Sequence, residues 1–167
     1  MKIKGRAVLL GDNINTDFII SGRYKFSITD IKELAKHIME DIDPEFPQKL
    51  NPGESIIVAG ENFGMGSSRE QAPLVIKESG IMAVVAKSFA RIFYRNGFNI
   101  GLALIQADTT KIRELDELLI DFNNSTIEDK SQNLKIGFLP LSKIMQTLLT
   151  DGGIVNHLKK HKGKLEL

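Results

Sequence analysis

The sequence predicts an α/β fold, and two pairs of neighbouring patterns carry that prediction. Residues 54–59 and 81–86 are short, β-branched runs that indicate buried strands. Each run is followed by a helical pattern, at residues 71–80 and 89–96. Alternation of this kind is typical of a parallel sheet covered by helices. Since no linker rich in glycine, serine or proline divides the chain, we expect one compact domain over residues 1–167.

The composition excludes several classes of protein. The net charge is +1, so a nucleic-acid or membrane-surface protein is not favoured. The basic cluster at residues 159–162 is typical of a solvated helix end, with a nucleic-acid patch as the alternative. No apolar run is long enough to span a bilayer, and residues 1–6 lack a signal-peptide core, so we expect a cytoplasmic protein. The absence of cysteine excludes disulfides and thiolate metal sites in this chain.

The amino-terminal third begins with a strand at residues 5–10 and a turn-rich loop at residues 11–17. A metal-binding loop that uses Asp12, Thr16 and Asp17 is an alternative, although the glycine and glutamate of a calcium loop are missing. We expect a short strand end at Ile19 and Ile20, then a loop over residues 21–27, with a connection at residues 41–52. Between these the pattern predicts a helix capped by Thr29 or Asp30, and its core-facing residues are Ile31, Leu34, Ala35, Ile38 and Met39.

The glycine loop (residues 60–69) is the predicted functional site. It joins a strand to a helix at the carboxyl end of the strand, where ligands bind in α/β sheets. Pro73 is tolerated only in a first helical turn, so the helix starts near Gln71 and Ser67, Ser68 and Arg69 precede it. A helix amino terminus with an added arginine suits a carboxylate or phosphate. The spacing lacks both nucleotide-binding glycine motifs, and a plain glycine-rich turn is the alternative.

The next helix is predicted at residues 89–96, capped by Ser88 and ended near Gly97. Its buried face would carry Phe89, Ile92 and Phe93, with Arg91 and Arg95 on the other face. The remaining elements are a strand at residues 102–105, a hairpin of residues 118–122 and 125–128 around Asn123-Asn124, a strand at 134–138, an amphipathic helix at 141–150 and, after Gly152-Gly153, a last short helix.

Three blocks of the sequence resemble the aconitase superfamily. Residues 62–70, Asn-Phe-Gly-Met-Gly-Ser-Ser-Arg-Glu, resemble its NFGCGSSRE signature. Residues 11–17 with 22–24 resemble GDNIDTD…ARY, and residues 86–101 resemble AxSFARIFYRNxxNxG. The match is to the small, swivelling-domain subunits of the 3-isopropylmalate dehydratase and homoaconitase branch. This resemblance implies the fold of a swivelling β/β/α domain of the aconitase C-terminal type. Met65, Gln71 and Asn15 depart from the cysteine, histidine and aspartate that are frequent in the family.

The resemblance also implies roles for individual residues. Ser67 would be the catalytic base, and Ser68 and Arg69 would bind a substrate carboxylate. Thr16 and Asp17 would line the substrate wall. Arg23, Tyr24, Lys25 and Phe26 would select the substrate, where Phe26 favours an isopropyl-like group and Lys25 either meets a carboxylate or points to solvent. Structural support would come from Asn62, Gly64, Gly66, Arg91 and Glu70, the last as the partner of an arginine.

The implied activity is a hydro-lyase that depends on a [4Fe–4S] cluster. Such clusters are held by cysteine thiolates, so the cluster would be supplied by a large partner subunit and this chain would bind neither cofactor nor metal. We expect the leucine-pathway enzyme 3-isopropylmalate dehydratase as the first assignment within the family. One alternative is a homoaconitase or a hydro-lyase of a methyl-substituted malate. A stand-alone carboxylate-binding module is an alternative of another class.

Overall fold

A computed structural model describes residues 1–67 and 69–164, apart from the side chain of Lys25. Within this part of the chain a single sheet holds seven strands. They are β1 (Lys2–Leu9), β2 (Ser55–Ala59), β3 (Ala83–Ala86), β4 (Leu104–Gln106), β5 (Glu117–Asp121), β6 (Thr126–Asp129) and β7 (Leu134–Gly137). Their order across the sheet is β4-β3-β2-β1-β5-β6-β7. The predicted α/β class is confirmed.

Helices connect the strands of the parallel half and follow the last strand. The described helices are α1 (Thr16–Ile19), α2 (Gly22–Lys25), α3 (Ile31–Ala35), α4 (Phe46–Lys49), α5 (Gln71–Glu78), α6 (Arg91–Asn99), α7 (Lys143–Asp151) and α8 (Ile154–Lys160). None of them is long and apolar enough to cross a membrane. The start of α5 at Gln71 and the break at Gly152 and Gly153 are as the sequence predicts.

The parallel half of the sheet (β4, β3, β2 and β1) positions the functional loops. Strands β1 to β4 pair in parallel, with Val58 opposite Leu9 on one side and Val85 on the other. Every residue of β2 and β3 is buried, which explains their continuous β-branched and small composition. Because parallel strands end at the same edge, the loops after β1, β2 and β3 meet there.

The antiparallel half (β5, β6 and β7) extends the sheet from the other side of β1. The predicted hairpin is confirmed, and its turn is fixed by Asp121, whose Oδ1 accepts from the backbone N of Asn123 at 3.0 Å. An isolated antiparallel bridge between Ala107 and Phe138 joins the two ends of the sheet. The sheet is therefore curled rather than open.

Two predictions for the amino-terminal third were wrong. Ile19 and Ile20 are not a strand end: Ile19 closes helix α1, which starts where the side chain of Asn15 accepts from the backbone N of Asp17 at 2.9 Å. Both isoleucines are fully buried, so core packing rather than strand pairing explains their β-branched character. Residues 21–27 are not a loop throughout, because Ser21 caps the short helix α2.

The predicted cap of α3 is confirmed, and the predicted cap of α6 is wrong. Asp30 caps α3 as predicted and accepts from the backbone N of Lys32 and Glu33. Helix α6 begins at Arg91 without a side-chain cap, so Ser88 is not its cap.

Two further predictions for α6 fail. The helix continues through Gly97, where a Cβ would lie 2.5 Å from Leu104 Cδ1, so close packing rather than helix termination explains this glycine. Ile92 is 47% exposed rather than on the buried face.

Candidate active site

The glycine loop lies between two other loops at the carboxyl edge of the parallel half. On one side, Gly64 N donates to Ile14 O at 2.8 Å and Thr16 N donates to Met65 O at 2.8 Å. On the other side, Phe63 N donates to Ser88 O at 3.0 Å. The loops after β1 and β3 thus clamp the loop after β2 through backbone hydrogen bonds.

A cavity of about 290 Å³ opens beside this clamp. That volume is near the lower end of the roughly 300–1,000 Å³ range of ligand pockets. Its walls come from α1, the glycine loop and the first turns of α6. The lining residues are Thr16, Gly64, Gly66, Ser67, Arg69, Ala90, Arg91, Ile92, Phe93 and Asn96.

Two glycines make the narrow turn possible. Gly64 has φ +78°, and a Cβ there would lie 2.2 Å from Phe93 Cγ. Gly66 has φ +94°, and a Cβ there would lie 2.4 Å from Asn15 Oδ1. Both positions combine a left-handed backbone with a close neighbour, so only glycine fits. The expected supporting role of Gly64 and Gly66 has a steric basis in these contacts.

Ser67 and Arg69 are held together at the cavity. Arg69 Nε donates to Ser67 Oγ at 2.8 Å, and the backbone N of Arg69 donates to Ser67 O at 2.9 Å. The buried Thr16 hydroxyl also donates to Ser67 O, at 2.9 Å. A cation in contact with a serine oxygen favours the anionic form of that oxygen. The hydroxyl of an exposed serine is therefore placed in a field that stabilises an alkoxide.

Asp17 completes the arrangement by facing the arginine. Its Oδ1 lies 2.6 Å from Arg69 Nη1. Both atoms are shielded from water, and their mutual contact lacks hydrogen-bond geometry. The Arg69 side chain is only 19% exposed, so the guanidinium is fixed between Ser67 and Asp17 rather than free in solvent.

Asn62 anchors the start of the glycine loop. Its backbone is left-handed (φ +59°), and its N donates to Ser88 Oγ at 2.8 Å. Its amide Nδ2 donates to Asn13 Oδ1 at 3.1 Å and contacts Met65 Sδ at 3.5 Å. Ser88 therefore serves the loop rather than helix α6.

Arg23, Tyr24 and Phe26 lie outside the cavity lining. Arg23 pairs with Asp41, and the Tyr24 ring stacks on His37 with 3.9 Å between centroids. A hydrogen bond with Glu40 raises the pKa of the Tyr24 phenol, with a smaller contribution from burial. Phe26 is 82% exposed at the end of α2. These contacts hold Arg23 and Tyr24 against the turns that follow α3. The side chain of Lys25 lies outside the described part of the structure.

Arg91 and Glu70, two further residues predicted for the site, lie in different places. Arg91 lines the cavity from the first position of α6. Glu70 is exposed at the cap of α5 and pairs with no arginine among the described residues, so the expected pairing is not formed. Ser68 lies outside the described residues.

Sequence reasoning missed two features of the site. Ala90 and Ile92 line the cavity, although the pattern placed Ile92 in the core. Asn15, noted only as a departure from the family, caps α1 and fills the space beside Gly66. The available signal for Asn15 was Gly66, where a Cβ would lie 2.4 Å from Asn15 Oδ1. The glycine contacts do not point to Ala90 or Ile92.

Comparison with known proteins shows the family to which the chain belongs. A family model described as the aconitase C-terminal domain matches residues 14–109. A 3-isopropylmalate dehydratase small subunit 2 from Archaeoglobus fulgidus is 50% identical over 161 residues, covering 96% of this chain and 97% of that protein. The chain belongs to the aconitase C-terminal domain family, among the small subunits of 3-isopropylmalate dehydratase.

Further relatives agree with this family. The small subunit from Thermodesulfovibrio yellowstonii is 51% identical over 162 residues, with 96% of this chain and 95% of the relative covered. A crystal structure of a 3-isopropylmalate dehydratase from Methanocaldococcus jannaschii superposes with a TM-score of 0.92 at 50% identity, covering 97% of this chain and 96% of that one. The predicted aconitase C-terminal fold is confirmed.

Proposed function

We propose that this chain, as one swivel domain over residues 1–167, is the small subunit of a 3-isopropylmalate dehydratase. The enzyme would interconvert 2-isopropylmalate and 3-isopropylmalate as a hydro-lyase in leucine biosynthesis. Near full-length identity of about 50% to small subunits of that name supports the assignment. The contact of Arg69 Nε with Ser67 Oγ is the observation that carries the chemistry.

Ser67 is the proposed base. The reaction removes a proton from a carbon beside a carboxylate and hydroxide from the neighbouring carbon, and water then returns in the opposite orientation. A free serine hydroxyl is a very weak base, so its alkoxide needs stabilisation. Arg69 supplies a full positive charge at 2.8 Å, and Ser67 Oγ takes the proton. The departure of the hydroxide is not assigned to any residue of this chain.

Arg69 also has donors left for a substrate carboxylate. A guanidinium carries five N–H donors. Its Nε contacts Ser67 and its Nη1 contacts Asp17, whereas no described residue occupies Nη2. One arginine can therefore hold the base and bind a carboxylate at the same time, with Ser68 proposed as a second carboxylate contact.

A large partner subunit carrying a [4Fe–4S] cluster is part of the proposal. Such a cluster needs thiolate ligands, and this chain has no cysteine. The residues that line the cavity are hydroxyl, amide, guanidinium and apolar groups, which do not fit the cluster either. Ser67 is exposed, so a partner can approach it. A cytoplasmic location also belongs to the proposal.

Reconstitution tests the proposal. The full chain is mixed anaerobically with a cluster-loaded large subunit, and 2-isopropylmalate, homocitrate and citraconate are offered separately. We expect turnover of 2-isopropylmalate by the mixture and none by either chain alone. Carboxylate binding by this chain alone, with no turnover in a mixture whose cluster is intact, would replace the enzyme with a binding module.

The same assay tests the proposed selection of substrate. Phe26 is apolar and exposed beside Lys25, which favours an isopropyl group. We expect Phe26→Arg to reduce isopropylmalate turnover and to raise the relative turnover of homocitrate, because arginine meets the extra carboxylate. Unchanged preference in this variant would remove Phe26 from the selecting residues.

A further inference from the structure

Arg91 is a charged residue at the cavity to which the fold gives no partner among the described residues. It is exposed at the first position of α6 and lines the cavity together with Ser67. No described carboxylate or other acceptor forms an ion pair or a hydrogen bond with its guanidinium. The other charged group among the described lining residues is Arg69, whose charge is offset by Asp17. The cavity therefore holds a full positive charge that the proposed base does not use.

The position of Arg91 is unfavourable for the helix that carries it. Helix α6 has nine residues, begins without a side-chain cap and has no acidic residue in its first turn. The first N–H groups of a helix have no intrahelical acceptor and form the positive end of the helix dipole. A cation at that end is repelled by the dipole, so Arg91 costs stability that a neutral or acidic residue would not. A charge that opposes its own helix and has no described partner indicates a role in binding rather than in folding.

We propose that Arg91 binds the second carboxylate of the substrate. This inference rests on the proposed function, because 2-isopropylmalate and 3-isopropylmalate each carry two carboxylates. Arg69 can serve one of them, since its Nε contacts Ser67 and its Nη1 contacts Asp17, which leaves Nη2 for a ligand. Arg91 brings a second guanidinium to the same cavity from a different element, and its planar fork matches the geometry of a carboxylate. The dicarboxylate is thereby held at both of its charged groups.

The start of α6 is fixed against the glycine loop. Ala90 N donates to Phe63 O at 2.9 Å, and Phe63 N donates to Ser88 O at 3.0 Å. The Phe93 ring packs edge-on against the Phe63 ring, with 5.3 Å between their centroids. The backbone segments that carry the two arginines are therefore held together by hydrogen bonds and aromatic packing. Two cations on such a fixed frame favour a ligand whose two negative groups have the matching separation.

Ligand binding to the reconstituted complex tests the assignment. The probe is 2-isopropylsuccinate, which has both carboxylates and the isopropyl group of the substrate but no hydroxyl to lose, and its binding is measured by calorimetry. We expect Arg91→Gln to weaken this binding about tenfold, because a charge-assisted contact is removed. Arg91→Lys keeps the charge without the fork, so it should recover part of the affinity. The KM for 2-isopropylmalate should rise in parallel, with a smaller change in kcat.

Arg95→Gln is the matched control. Arg95 is an exposed arginine one turn further along α6, and it lies outside the cavity lining. This variant should bind the probe as tightly as the unaltered complex does. Thermal unfolding of the full chain separates binding from folding. Arg91→Gln should keep or raise the Tm, because it removes a cation from the positive end of α6.

The outcomes distinguish this inference from the proposed function. Equal binding of the probe by Arg91→Gln and Arg95→Gln, in a complex that turns over 2-isopropylmalate, would overturn the role of Arg91 and leave the function standing. Weaker binding by Arg91→Gln alone, in a complex without turnover, would support the carboxylate site and count against the function. A loss of binding together with a lowered Tm would assign Arg91 to the scaffold and overturn the proposal, as would the absence of probe binding by the unaltered complex.

Discussion

The two halves of the sheet treat their buried polar groups in different ways. In the antiparallel half, Asp129 is 1% exposed and accepts from the backbone N of Ser131 and from both nitrogens of Gln132. Asp121 is served in the same manner by Asn123 and Asn124. Each of these carboxylates is surrounded by donors from its own turn.

At the cavity beside the parallel half, one charged pair is only partly satisfied. Asp17 Oδ1 and Arg69 Nη1 are shielded, lie 2.6 Å apart, and have no other partner among the described residues. Saturated carboxylates fix a turn, whereas incompletely satisfied charges at a cavity keep capacity for a ligand. We infer from this contrast which polar groups hold the scaffold and which serve the proposed chemistry, and each prediction below tests one side of it.

The largest expected effect is on catalysis. Ser67→Ala should lower the kcat of the reconstituted enzyme about 10²–10⁴-fold, because it removes the proposed base, while the Tm stays unchanged. Ser131→Ala is the matched control in the antiparallel half. Its hydroxyl accepts from Glu117 N at 2.9 Å, so that variant should lose about 1 kcal/mol of stability and keep its kcat. Full activity in Ser67→Ala would sink the base assignment.

Backbone conformation gives the next largest effect. Gly64→Ala should destabilise the chain by about 2–4 kcal/mol, because a left-handed backbone and the Phe93 ring both oppose a Cβ. Gly137→Ala in β7 meets nothing within 4 Å and should be close to neutral. Chemical denaturation measures both. Similar losses in the two variants would mean that the glycine loop is no more constrained than the hairpins.

Removal of the Asp17 charge tests the cavity beside the parallel half directly. Asp17→Asn should raise KM about tenfold with a smaller change in kcat, because Arg69 loses the group that orients its guanidinium. Steady-state kinetics of the reconstituted enzyme measure this. Asp43→Asn, at a carboxylate paired with Lys49, should leave both constants unchanged. An unaltered KM in Asp17→Asn would show that Asp17 does not position Arg69 for substrate.

The smallest effect concerns pH and the antiparallel half. Hydrogen bonds from Asn124, and then from Lys2, lower the pKa of Asp121. A lowered pKa stabilises the fold above the unfolded value of about 3.9, and that stability is lost as the pH falls through the folded pKa. The Tm of the unaltered chain should therefore fall more steeply below about pH 4 than that of Asp121→Asn. Glu78→Gln, on the exposed face of α5, should keep the steep slope; equal slopes in the chain and in Asp121→Asn would contradict the prediction.

The strands and the glycine loop could be predicted from the sequence because their signals are local. The runs at residues 54–59 and 81–86 are rich in β-branched and small residues, and the structure buries every residue of β2 and β3. Pro73 marked the start of α5 within one turn, and the spacing of Gly64 and Gly66 marked the turn at the cavity.

The errors arose where distant residues decide the local structure. Ile19 and Ile20 have strand-like side chains, but Asn15 starts a helix there and the core buries them. Ser88 looked like a helix cap, although its hydroxyl accepts from Asn62, 26 positions earlier. Tyr24 stacks on His37 and does not line the cavity, and no local pattern contains this contact. Such contacts depend on the tertiary fold, which a reading of neighbouring residues does not reach.

The bridge between Ala107 and Phe138 bears on how the chain meets other chains. An open sheet presents two rows of unpaired amides and carbonyls, which can template the addition of a foreign strand. Here the two edge strands of the sheet, β4 and β7, are only three and four residues long. The bridge joins the residues that follow these two strands. Association through backbone pairing is therefore disfavoured at both ends of the sheet, and recognition of a partner is left to side chains and loops.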